Sequence, residues 1–330
     1  MKKTLFFLLP IMLFVSSCTD VKTTEAVQNQ NGTLTFNLIN LPVLDDSLVL
    51  AAWILNDAGK VVHKFGKLSP SGNAFSGSFP LTLNAYQQNT NNQFVCISIE
   101  HRDSTLNDTT TSNLFLMVSK IRTNSSELNL VPKDPAAIAF GSDFDDQKYL
   151  GSDTSSALPP SFKTAKGVYT VFTPTNTAAN TNSGIWFLNY LSAGVYGTGL
   201  RLPELPAGWV YKGWVKVNGK YLPTGEFKLA AGNDAQNLYI GANPMPGFPG
   251  EDFLQNDTLG VAYPIDLASQ EVIITVEPNG SNRYNKSKPF PLVLLKGTIP
   301  SPVSNTTSYP LENNYVNFPS GTAVYKIDLY

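Results

Sequence analysis

Cysteine, histidine and charge are all scarce in this chain. Two cysteines (Cys18, Cys96) and two histidines (His63, His101) occur in 330 residues, and charged side chains make up 15%. The net charge is −2. A near-neutral surface argues against nucleic acid, which calls for a basic face. Past the opening residues no apolar run approaches the ~20 residues of a membrane-spanning helix. The two histidines fall in or beside apolar strand patterns and are expected to be surface residues. No His-Glu-x-x-His zinc motif, Gly-x-Ser-x-Gly elbow or phosphate-cradling glycine loop is present. Asp143, Asp145 and Asp146 lack the spaced order of a calcium loop. Glu251-Asp252 is the one carboxylate pair beside aromatics (Phe248, Phe253), but neighbours in sequence rarely form the separated pair of a glycosidase. We therefore expect no catalytic residue, no metal and no cofactor.

What is plentiful points to strands. The chain holds 19 Phe, 14 Tyr and 4 Trp, with 24 Gly and 23 Pro. Aromatic and β-branched residues suit pleated, half-buried surfaces, while Gly, Pro and Asn supply turns. Strand patterns recur over 33–39, 48–56, 61–65, 94–100, 114–121, 167–173, 184–189, 199–202, 209–217, 226–228, 271–277, 290–295 and 323–330. No convincing amphipathic helix interrupts them. This spacing predicts an all-β sandwich or barrel. Cys96 lies in Phe94-Val95-Cys96-Ile97, where it should act as a small buried hydrophobe.

The first eighteen residues have their own logic. Lys2-Lys3 precede an apolar run and then Ser16-Ser17-Cys18, the layout of a secretory signal peptide. The ending Val15-Ser16-Ser17-Cys18 resembles the lipobox of bacterial lipoproteins. That resemblance implies cleavage after residue 17 and a diacylglycerol thioether on Cys18. Several acyl chains together give stable anchoring. Residues 18–31 then read as a polar tether. Cys96 is left alone, so no internal disulfide can brace the fold. The expected location is the cell envelope, on the outer membrane and outside the cytoplasm.

The chain also repeats itself. Leu41-Pro42 precedes Trp53 by the interval at which Leu202-Pro203 precedes Trp214. Each Trp is followed by apolar residues, an Asn and a Gly-Lys pair. The strand ending at Glu100 parallels the strand ending at Glu277. Asn218-Gly219 is a strong type I′ hairpin signal. We place the first domain at 32–132, a linker at 133–164 and the second domain at 165–330. Trp53 and Trp214 read as equivalent packing residues; a ligand-stacking role for Trp209, Trp214 and Tyr221 is the alternative. The segment 243–254 lengthens the second copy, and its three prolines keep it stiff. Its Met245, Phe248, Glu251, Asp252 and Phe253 are candidate partner contacts, or else its Phe side chains plug one end of the domain.

The second copy resembles a known family. Leu202-Pro203, Pro206-Ala207-Gly208, Tyr211-Lys212-Gly213-Trp214 and Gly225-Glu226-Phe227 are similar to a pattern in the extracytoplasmic domain of anti-sigma-K factors. Pro246-Gly247-Phe248-Pro249-Gly250 and Ile273-Ile274-Thr275-Val276-Glu277-Pro278 extend the likeness. The form resembled is the lipoprotein form of Bacteroidota envelopes. The likeness implies an immunoglobulin-like β-sandwich, here two in tandem. It does not imply anti-sigma activity, because a protein outside the cytoplasm cannot touch a sigma factor. The expected function is a non-catalytic envelope module that senses, binds or supports. Its expected partners are the membrane, through the lipid, and an envelope protein. A glycan bound by aromatic stacking is the alternative.

Overall fold

The computed structural model describes residues 31–56, 58–82, 93–104, 110–112, 114–121, 127–132, 161–176, 182–205, 208–255, 260–279 and 287–327. Cys18, the signal segment, the tether before Asn31 and linker residues 133–160 lie outside the described residues.

The architecture is all-β. The first strands are β1 (Asn31–Ile39), β2 (Leu48–Asn56), β3 (Val61–Leu68), β4 (Phe75–Thr82), β5 (Gln93–His101), β6 (Phe115–Lys120) and β7 (Glu127–Pro132). Next come β8 (Lys166–Val171), β9 (Gly184–Trp186), β10 (Leu188–Ser192), β11 (Val195–Thr198), β12 (Leu200–Arg201) and β13 (Trp209–Val217). The last are β14 (Lys220–Phe227), β15 (Gly250–Asp252), β16 (Glu271–Pro278), β17 (Val293–Thr298), β18 (Ser308–Asn313) and β19 (Ser320–Ile327). A 3-10 turn over Tyr315–Asn317 precedes β19.

The hydrogen-bonded strands follow two long paths, beside which β10 and β11 pair as a separate two-stranded sheet. One runs β3-β2-β5-β6-β7-β19-β1-β4 and the other β14-β13-β16-β17-β18-β8-β9-β15, with β12 beside β8. All neighbouring pairs along both are antiparallel. The two paths match position by position. In the second path the chain order is unbroken, with β8 supplying the first strand. In the first path β19 holds the place of β8. The expected second domain, 165–330, therefore needs correction, since Ser320–Ile327 belongs to the first sheet. It pairs with β1 from Gly32↔Ile327 to Ile39↔Ser320 and with β7 from Gly321↔Leu130 to Val324↔Glu127.

Each path bends at a matching strand. β7 pairs with β19 through residues 127–130 and with β6 through Val131 and Pro132. β18 pairs with β8 through residues 308–311 and with β17 through Glu312 and Asn313. A strand that changes partners midway carries the chain from one sheet to another, which turns a corner.

The central strands are apolar on both faces. Leu50, Ala52, Ile54, Val95, Ile97 and Ile99 join the main buried cluster, which continues into the second set of strands. Their alternates Ala51, Trp53, Leu55, Phe94 and Cys96 form a second cluster on the opposite face. Cys96 is buried and forms no disulfide, as its apolar neighbours predict. The β13–β14 hairpin turns on Asn218 (φ 50°) and Gly219 (φ 79°), the two positive values a type I′ turn demands.

The internal repeat reaches individual hydrogen bonds. Trp53 is paired with Cys96, and Trp214 with Ile273. This register sets each indole beside a hydroxyl and a carboxylate on the neighbouring strand. Trp53 Nε1 donates to Ser98 Oγ (2.8 Å), which donates to Glu100 Oε1 (2.5 Å). Trp214 Nε1 donates to Thr275 Oγ1 (3.1 Å) and Glu277 Oε1 (2.9 Å), and Thr275 Oγ1 donates to the same carboxylate (2.5 Å). Backbone N–H groups of Ser112 and Phe290 also donate to the two carboxylates, and Ser112 Oγ donates to Glu100 as well. Removing one buried donor from such a network leaves an acceptor unsatisfied. Trp53→Phe and Trp214→Phe should each lower unfolding free energy by about 1–3 kcal/mol. With the two sites in separate sheets, the double variant should show the sum. Chemical denaturation measures this, and losses well below 1 kcal/mol would contradict it.

Candidate functional site

Two copies of one strand plan invite a search for what differs. The connection from β3 to β4 is short, residues 69–74, and closes with a bridge between Ser71 and Ala74. The matching connection from β14 to β15 runs over 228–249. Loops on a rigid scaffold are where binding residues concentrate. The site is this connection with the surface it covers.

Three carboxylates pin the loop. Asp234 Oδ1 accepts from the Gln236 N–H (3.1 Å) and its Oδ2 from the Gly250 N–H (2.9 Å). Glu251 accepts from the N–H groups of Leu238 (2.9 Å) and Asp252 (3.1 Å). Asp252 accepts from Thr175 N–H (2.8 Å), Thr175 Oγ1 (2.5 Å) and Trp186 Nε1 (2.8 Å). Thr175 Oγ1 also accepts from Gly241 N–H at 2.8 Å. Gly225 (φ 134°) lets Asp234 come close, for a Cβ there would stand 2.2 Å from the carboxyl carbon.

Burial dominates the electrostatics. It pushes Asp234 up to about 7 against the backbone hydrogen bonds that favour its charge. Glu251 is pushed up to about 8, first by burial and then by the nearby Asp234 charge. Asp252 is raised for the same first reason. Tyr239 rises to about 12 through burial, with Tyr263 and Glu251 adding to it. Its ring packs between Phe253 (5.3 Å) and Tyr263 (5.9 Å).

This geometry corrects several sequence expectations. Glu251, Asp252 and Phe253 are at most 1% exposed, so they anchor the loop from inside and offer nothing to a partner. Met245 and Phe248 are half-buried. Trp209 and Trp214 are buried and cannot stack on a ligand. Lys212, itself buried, sits over the Trp214 ring at 4.4 Å and faces Glu226 at 3.6 Å. Trp209 meets Phe290 edge-on. Tyr221 is half-buried, under Lys216 and bonded to Glu271 at 2.9 Å.

The exposed apolar residues of the loop were not foreseen. Leu229 is 69% exposed and Leu238 51%. Leu229 also lines a pocket of about 570 Å³ with Val210, Phe227, Asp234 and Asn279. The extra length of this connection pointed to the region, but no local pattern distinguishes an exposed loop leucine from a buried one. His63 is half-buried against Phe65 and shifted down by burial, and His101 Nδ1 lies 3.8 Å from Asp103. Among the described residues no group of three or more His, Cys, Asp or Glu is placed to hold a metal ion. No helix among them is long and apolar enough to cross a membrane.

No protein family, curated protein or solved structure matches this chain. The loop carboxyls give a direct test. In the folded protein Asp234 and Glu251 keep protons that an unfolded chain has released above about pH 4. Their stabilising effect is complete below that range and is lost as pH rises through about 7 to 8. The denaturation midpoint should fall across this window, and Asp234→Asn with Glu251→Gln should flatten the fall. A midpoint that rises with pH, or an unchanged slope in the double variant, would contradict the assignment.

Proposed function

We propose that the protein is a non-catalytic, lipid-anchored envelope component that binds an envelope protein through its 228–249 loop. In this reading Cys18 carries the lipid and residues 18–31 form the tether. The two strand paths are immunoglobulin-like β-sandwich units, the second akin to the outer domain of anti-sigma-K factors. No contact with a sigma factor is part of the reading.

One observation carries it: on two scaffolds of the same strand order, one connection has grown and been fastened down. Two buried carboxylates, Glu251 and Asp252, and the half-buried Asp234 hold that connection, and two leucines point outward from it. An ordered loop loses little entropy on binding. Exposed apolar side chains on a rigid support mark a protein contact. The glycan alternative loses support, because two of its three aromatics are buried.

The test is photo-cross-linking in cells of the full lipoprotein. A cross-linking residue at 229 or 238 should give one discrete adduct with an envelope protein. At 316, where Val316 is 80% exposed and its carbonyl accepts from Asn40 of the first path, it should not. Equal adducts at all three positions, or none, would refute the loop as a binding surface. In the same cells Cys18→Ser should move the protein out of the membrane fraction; retention there would refute the anchor.

A further inference from the structure

The second path is complete within residues 161–313, whereas the first needs a strand that arrives from beyond it. β19 is joined to β18 only by residues 314–319, and β18 belongs to the other path. Donor and acceptor of this strand are thus different parts of the molecule. We propose that the cleft between β1 and β7 is a strand-acceptor site, and that β19 of a second copy of this chain fills it in place of the chain's own.

The contacts suit a strand that can be exchanged. Eight residues of β19 pair with β1 and four with β7, so main-chain hydrogen bonding carries the interaction. Strand addition works in this way, with backbone bonds giving affinity and pockets for alternate side chains giving specificity. Among the described side chains of β19 two point inward: Ala323 is fully buried and Tyr325 nearly so. Two glycines tune the fit. A Cβ on Gly32 of β1 would overlap the Tyr325 ring, so Gly32 makes the seat for that tyrosine. A Cβ on Gly321 would stand 2.2 Å from the Asn37 carbonyl oxygen, so only glycine lets β19 lie flat there. Gly321 and Tyr325 of β19 thus each match a feature of β1.

Exchange keeps each of these contacts and changes only which chain supplies the strand. The donor loses nothing from its second path, whose positions are filled by its own strands. Because donor and acceptor surfaces differ, the contact is heterologous. It closes as a reciprocal pair or continues head to tail into a filament.

Cross-strand disulfides test this on the full mature chain carrying Cys18→Ser, where the other thiol, Cys96, is buried. Asn37 and Thr322 are directly paired and face outward. The double variant Asn37→Cys/Thr322→Cys reports whether β19 reaches the cleft at all. The two single variants, mixed at high concentration, refolded from denaturant and oxidised, report exchange. The expected result is a mixed disulfide dimer at least about tenfold above a Ser78→Cys plus Thr322→Cys mixture, in which the cysteines lie on strands that do not pair. Closure within the double variant together with no mixed dimer above that control would overturn the proposal. Failure of the double variant to close would overturn it as well.

Discussion

Between β1 and β7 runs a strip of backbone that only another strand can satisfy. Both strands carry side chains of the main core, Leu34, Phe36 and Leu38 from one and Leu130 from the other. Buried N–H and C=O groups must be paired. β19 pairs both edges at once, and its Ala323 and Tyr325 enter the same core. The first half of the molecule therefore depends on residues nearly two hundred positions further along the chain. Asn40 reinforces the return by donating from its side-chain amide to the carbonyls of Val316 and Phe318, just ahead of β19. Phe318 packs on Phe162 and Tyr315 at the same junction.

Around that constraint the two halves repeat one another to the level of an indole, a hydroxyl and a glutamate. Buried carboxylates are tolerable where hydrogen bonds satisfy them. Glu100 and Glu277 meet that condition at matching positions. The same chemistry is used again, without duplication, in the 228–249 loop. There Asp234, Glu251 and Asp252 accept backbone N–H groups, and burial raises all three. A loop fastened in this manner presents Leu229 and Leu238 at little entropic cost, the physical basis for reading it as a contact surface.

Much of this was legible in the sequence because it rests on local signals. Alternating and apolar runs located the central strands, Asn218-Gly219 located the hairpin turn, and the spacing from Leu-Pro to Trp exposed the repeat. β4 escaped notice because Gly77 and Pro80 interrupt its pattern; proline is tolerated there since β4 ends its path and one side of it is unpaired. β14 was seen only at its end, for Pro223 and Gly225 mark a bulge against β13. β18 contains a proline of its own and divides its pairing between two partners. The last strand was recognised as a strand, but its partners were not, since pairing between distant segments leaves no local trace. For Trp214 the sequence left ligand stacking open beside packing. Tight packing against Lys212 and a bonded N–H bury it. For Glu251 and Asp252, proximity to aromatics was visible, yet their inward direction depends on β15 pairing with β9.

The first sheet depends on where β19 lies. Backbone nuclear Overhauser effects in the deuterated, amide-protonated protein read this directly. With β19 seated in the cleft, contacts run from residues 320–327 to both β1 and β7, in the register Leu34↔Tyr325 and Leu128↔Ala323. Contacts from those residues to strands of the second path, or to none, would contradict that seating.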